Sequence, residues 1–179
     1  MKYITSFILF ICIFLSCKKE EAVRPLSSRY YGSGNALKDE LVWKANTFAG
    51  YDTVRYKREA VCIFARVFEK GILKETLAFT EVPLKKGVFS LKRSIWQVAQ
   101  GNIGAEYTIE EENGHVVGTE FVLDTLAQTN KFEVVDFDAV SKEIKVRFSA
   151  TFFIKDRSKA HIIDTIRFTN GEITTRPYN

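Results

Sequence analysis

Glu143-Ile144-Lys145-Val146-Arg147-Phe148-Ser149-Ala150-Thr151-Phe152-Phe153-Ile154 alternates polar and apolar residues along its whole length, with Phe153 the one exception. Successive side chains of a strand point to opposite faces, so a period of two makes this stretch a strand. Ile144, Val146, Phe148, Ala150, Phe152 and Ile154 then share one face toward a core. The flanks carry the same signature. Toward the C-terminus, Ile162 to Phe168 and Gly171 to Thr175 read as two strands divided by a turn at Asn170-Gly171. Toward the N-terminus, Phe132 to Phe137 is a strand. Before it, Asn113-Gly114 joins Ala105–Glu112 to His115–Leu123 as a hairpin, because Asn-Gly supplies the two positive φ angles of a type I′ turn.

Farther out, Lys85-Lys86-Gly87 turns the chain into Val88-Phe89-Ser90-Leu91, and Pro83 interrupts before it. Ala60–Phe68 and Ile72–Thr80 form a hairpin around Glu69-Lys70-Gly71. Ala60 to Phe68 is apolar at nearly every position except Arg66, which implies a strand buried on both faces or one with an aromatic outer face. Leu41 to Phe48 opens the series, and Ser94–Ala99 has room for a short helix. These elements predict an all-β domain of about nine or ten strands. Short links between sequential strands make it antiparallel, closed as a β-sandwich or a flattened meander barrel.

The chain has 179 residues, 46% hydrophobic, with 15 Phe and 7 Tyr. One domain with a substantial core is expected at that length. The net charge of +4 is too small, and its Lys and Arg too dispersed, for a nucleic-acid partner. Met1-Lys2 precedes an apolar run from Ile4 to Leu15, the length of a signal-peptide core rather than of a membrane span. Residues 18–34 hold Pro25, Ser27-Ser28, Gly32 and Gly34 without periodicity and read as a flexible tether, with Tyr30-Tyr31 as the feature a tether does not need. The expected organisation is therefore 1–16 leader, 17–34 lipidated cysteine and tether, 35–179 domain.

Phe14-Leu15-Ser16-Cys17 resembles the lipobox of bacterial lipoproteins, with Phe14 where Leu is usual. The resemblance implies cleavage before Cys17 and acylation of that residue, and two or more buried acyl chains give stable anchoring. Cys17-Lys18-Lys19-Glu20-Glu21 resembles the start of Bacteroidetes-type lipoproteins exported to the outer leaflet. The stretches Phe132-Glu133-Val134-Val135-Asp136-Phe137-Asp138, Lys142-Glu143-Ile144 and Ile166-Arg167-Phe168-Thr169-Asn170-Gly171-Glu172-Ile173, with Trp43 in an opening apolar-Trp-x-Ala strand, are similar to a family of small Bacteroidetes-type lipoproteins of unknown function. The long strand departs from that family with Lys145-Val146-Arg147 where a glycine is common. The resemblance implies an all-β lipoprotein domain at the outer membrane, facing outside, and brings no catalytic residues.

Chemistry-bearing motifs are sparse. Cys62 lies among apolar neighbours and reads as a small core hydrophobe. His115 and His161 are the two histidines, a poor basis for zinc, and no metal or other cofactor is expected. Glu110-Glu111-Glu112 reads as a charged strand edge. Asp136 and Asp138 read as turn caps. Lys85, Lys86, Lys92 and Arg93 beside aromatic residues read as a solvated rim. Trp43, Phe89, Trp96 and Tyr107 are the aromatic candidates for ligand contact. The expected function is a non-enzymatic binding or interaction module for a glycan, a peptide or a partner protein. The alternative is a lipocalin-like carrier of a small ligand, or a hydrolase accessory, using a barrel pocket.

Overall fold

The computed structural model describes residues 32–51, 59–93, 102–111, 117–155 and 164–178. Among the described residues eleven strands run in chain order: β1 Gly32–Lys38, β2 Leu41–Tyr51, β3 Ala60–Glu69, β4 Ile72–Pro83, β5 Gly87–Phe89, β6 Leu91–Arg93, β7 Ile103–Glu110, β8 Val117–Leu123, β9 Lys131–Phe137, β10 Ile144–Ile154 and β11 Thr165–Thr175. The all-β expectation holds, and of the two closures the molecule takes the barrel. The wall runs β11-β1-β2-β3-β4-β7-β8-β10, and β10 returns to β11 to close it. Of the predicted short helix, residues 94–99 lie outside the described residues, as do Asn113-Gly114, His115 and His161.

The closed wall is not a plain meander. β10 is shared: Phe152, Phe153 and Ile154 pair with β8, whereas Ile144 to Ser149 pair with β9. β5 pairs with β9, and β6, one residue further on, pairs in parallel with β7. The segment 87–93 thus bridges β9 and β7 below the end of β8. We call the end carrying the Asp39-Glu40 and Lys70-Gly71 turns the mouth, and the opposite end, where β1 starts, the base. Eight strands form the wall at the mouth; at the base β6, β5 and β9 take the place of β8.

Alternation places Ile144, Val146, Phe148, Ala150, Phe152 and Ile154 inside, and all six are buried. A barrel of eight strands is just wide enough for side chains to fill. Here they do so as a column of rings. Phe168 packs on Trp43 and on Tyr107, each at 5.2 Å between ring centres. It also reaches Phe148 at 6.3 Å and Phe152 at 6.0 Å. Phe148 meets Phe79 at 5.0 Å, and Phe79 meets Phe132 at 4.8 Å toward the base.

Three expectations change. β1 begins at Gly32, inside the stretch read as tether; Gly32, Ser33 and Gly34 pair with β2, and Ser33 and Gly34 pair with β11 as well. Small residues without periodicity look like linker, yet a Cβ on Gly32 would lie 1.8 Å from the Thr174 carbonyl oxygen. Close backbone approach is the reason for glycine there. Asn170-Gly171 is a bulge inside one continuous strand, not a turn between two. Asn170 takes a φ of 51°, and the register against β10 and β1 shifts at that point. The extra residue changes the phase, so Ile166 and Phe168 face inward before it and Gly171 and Ile173 after it. Finally, Glu110 stands in β7, which is paired on both sides by β4 and β8 and is no edge.

Opposite Gly171 sits Phe148, and a Cβ at 171 would lie 2.4 Å from its ring. Gly171→Ala is expected to lower stability by about 1–3 kcal/mol, because a filled core accepts added volume only by leaving good rotamers. Chemical denaturation checks it. Gly171→Ala in a Phe148→Leu background recovers part of that loss.

The outer face explains β3. Phe64 and Phe68 point outward and are half-buried, and Phe48 stacks on Phe64 at 4.9 Å. The Arg66 guanidinium lies 5.1 Å from the Phe48 ring centre. Cys62 is also on this outer side by alternation and half-buried, not in the lumen. The C-terminal Tyr178 approaches Phe48 at 6.2 Å and donates its backbone N–H to the Ala49 carbonyl. Asp138 caps its turn as expected, accepting from Val140 N at 2.7 Å and Ser141 N at 3.2 Å. These bonds hold its carboxyl below the usual range.

Candidate binding site at the barrel mouth

The β1–β2 turn is Asp39-Glu40, with φ of 49° and 68°, the type I′ geometry without the usual Asn or Gly. Asp39 offsets the strain by fastening the turn to β11: its N–H donates to the Arg167 carbonyl, and its Oδ1 accepts from Arg167 N, both at 2.9 Å. That clamp sets Lys38 at the top of β1 and Trp43 facing into the barrel from β2. Glu75 comes from β4 beside a register shift between Val67 and Phe68 that leaves Lys74 as the extra residue. Tyr107 comes from the middle of β7.

These four side chains meet. Lys38 Nζ donates to Glu75 Oε1 at 2.5 Å and to Tyr107 Oη at 3.3 Å. Trp43 Nε1 donates to Glu75 Oε2 at 2.8 Å. Tyr107 also hydrogen-bonds Glu75, and Lys38 Nζ lies 5.8 Å from the centre of its ring. Burial first, and then the Glu75 carboxylate, push the Tyr107 hydroxyl far above the usual phenol range. The side chains of Lys38 and Glu75 keep 24% and 18% of their exposure, so the pair is neither in bulk water nor sealed. An ammonium is thus held by a carboxylate on an aromatic floor of Trp43 and Tyr107, with Phe168 beneath. On the outer side of β11, where Arg167 points away from the lumen, a separate depression of about 330 Å³ is edged by Asp39, Glu40, Arg167 and Thr169.

Of the four aromatic residues singled out from the sequence, the fold brings two together here. Trp43 and Tyr107 are 4% and 0% exposed, so neither offers a flat outer face. Phe89 packs against the core toward the base, and Trp96 lies outside the described residues, as does Cys17. Lys85, Lys86, Lys92 and Arg93 are all exposed, as a solvated rim requires; Lys86 pairs with Asp136 at 2.8 Å, and Arg93 covers Phe153 at 5.0 Å. Lys38 and Glu75 gave no sequence signal, since they stand 37 residues apart and meet only when the barrel closes.

A second concavity of about 410 Å³ lies outside the wall over β9, β10 and β11, with Val88 at one side. Its row Glu133–Arg147–Glu172 follows the strand register, and Arg147 Nε meets Glu172 Oε1 at 3.1 Å. Both partners are mostly exposed, and such pairs contribute about 0–1 kcal/mol. It is a solvated charge ladder, whereas the mouth concentrates partly desolvated charge on aromatic rings.

Among the described residues no three His, Cys, Asp or Glu side chains converge as a metal site would require. No protein-family model, curated protein or solved structure matches the chain.

Proposed function

We propose that this chain is a lipid-anchored protein of the bacterial cell envelope, held at the outer membrane through Cys17 and facing outside, whose barrel is a non-enzymatic binding module. The ring column from Trp43 to Phe132 carries this reading: the lumen is occupied by the protein's own side chains, so a ligand meets the mouth or the outer wall. That observation favours a binding module over a carrier of the lipocalin kind, which needs an interior left open for its cargo. The anchor reading rests on the leader and on Leu15-Ser16-Cys17. β1 enters the wall at the base, so an anchor on that side leaves the mouth as the end facing away from the membrane.

Two measurements test it. Cys17→Ala abolishes incorporation of labelled palmitate and moves the protein from the membrane to the soluble fraction. Palmitate still entering the Ala variant would overturn the anchor. Arrays of glycans and peptides probed with the full chain show saturable binding that Glu75→Gln weakens. Binding that ignores Glu75 would move the site away from the mouth.

A further inference from the structure

We propose that the mouth is a receptor for a primary ammonium group carried by the ligand, and that Lys38 fills this receptor in cis. The inference rests on the reading of the barrel as a binding module and names the chemistry its mouth selects.

Three groups surround Lys38 Nζ. A carboxylate oxygen stands at 2.5 Å, a phenol oxygen at 3.3 Å and an aromatic face at 5.8 Å. This is the environment in which an ammonium exchanges water for a carboxylate, a hydroxyl acceptor and a ring quadrupole. Glu75 is held in place independently of Lys38, because the Trp43 indole N–H fixes its other oxygen at 2.8 Å. The receptor half of the pair is therefore preorganised on the rigid wall of β2, β4 and β7.

Lys38, by contrast, reaches in on a flexible four-carbon stem from the last position of β1, and its side chain is 24% exposed. A stem of that kind can swing to water, and the cost of vacating is limited by that exposure. With Lys38 withdrawn, the Glu75 carboxylate is left without its ammonium partner while the Trp43 indole N–H still holds its other oxygen. A ligand amine competes with a tethered one, so the intact protein binds it more weakly than a protein whose own amine is gone.

The test uses the full-length chain in a non-ionic detergent and n-butylammonium chloride as the probe, against sodium chloride at equal ionic strength and n-butanol as the neutral analogue. Lys38→Ala is expected to bind butylammonium saturably, read as a shift of the Trp43 indole N–H resonance and a rise in melting temperature. Neither control reproduces this. The wild type shows the same resonance shift at roughly tenfold or more higher concentration. Lys38→Ala with Glu75→Gln loses the response.

A Lys38→Ala chain that responds no more to butylammonium than to sodium chloride overturns the proposal. So does a double variant that responds as the single one does. Should Lys38→Ala unfold, recovery of its β-sheet circular dichroism with butylammonium supports the proposal, and no recovery overturns it. The array experiment above is read separately: saturable, Glu75-dependent binding of an amine-free ligand with no butylammonium response defeats the ammonium receptor and leaves the binding module standing.

Discussion

Phe168→Ala is expected to lower the stability of the barrel by about 3–5 kcal/mol, the range for removing a buried aromatic ring without collapse of the space it leaves. Phe168 is fully buried and touches Trp43, Tyr107, Phe148 and Phe152, so four rings lose a partner at once. These neighbours belong to β2, β7 and β10, on different sides of the barrel, and backbone pairing holds those walls apart. The cavity therefore cannot close by a shift of one strand. A domain of this size is stable by only about 5–15 kcal/mol, so the loss is a large share of the total. Urea unfolding with an unchanged slope would report it. A loss below about 1 kcal/mol would mean that the ring column is not close-packed.

Glu75→Ala is expected to cost about 2–4 kcal/mol, somewhat below the 3–5 kcal/mol of a fully buried pair because Lys38 and Glu75 retain some exposure. The change strands donors rather than merely deleting a bond. Trp43 Nε1–H, Lys38 Nζ and the Tyr107 hydroxyl all lose their carboxylate. Glu75→Gln keeps the shape and one acceptor and should cost less. Lys38→Met with Glu75→Leu, which removes both charges and keeps the volume, should recover most of the loss. Trp43 supplies a second readout. With Glu75→Gln its indole N–H loses a charged acceptor, so its proton resonance moves. An unmoved resonance would detach Trp43 from Glu75 and remove the network.

The parts of this fold that were legible in the sequence are those where one face is wet and the other dry. β10 is the clearest case, because Lys145, Arg147 and Ser149 face out while their neighbours fill the lumen. The Lys70-Gly71 turn was legible because its two positive φ angles sit partly on a glycine. The Asp39-Glu40 turn was not, because it has the same geometry on residues that dislike it, held by bonds to Arg167, which lies 128 positions away. β11 looks like two strands in the sequence because Asn170-Gly171 suits a turn. Those residues suit a bulge equally well, and only the partner strands on both sides decide. β1 was hidden because two of its first three residues are glycines, which show no face; Gly32 lies against the Thr174 backbone and Gly34 against the Ile173 and Thr47 side chains.

The candidate site divides along the same line. Trp43 and Tyr107 attract notice as large amphipathic residues in apolar strands. Lys38 and Glu75 look like ordinary solvated charges next to turns. What makes them a pair is barrel closure, which carries β1 and β4 to opposite sides of β2 and β3 and points both residues into the mouth. Long-range pairing of this kind leaves no local periodicity to read.

The central claim is that the lumen is filled by the protein's own rings, so that ligand is met at the mouth or on the wall. Xenon pressure followed by NMR tests this most directly, because an apolar cavity of about 150 Å³ stays dry and takes up xenon whatever its natural ligand. The account predicts that the resonances of Phe79, Tyr107, Phe132, Phe152 and Phe168 stay in place as xenon pressure rises. Saturable shifts confined to those five residues would reveal an interior cavity and contradict it.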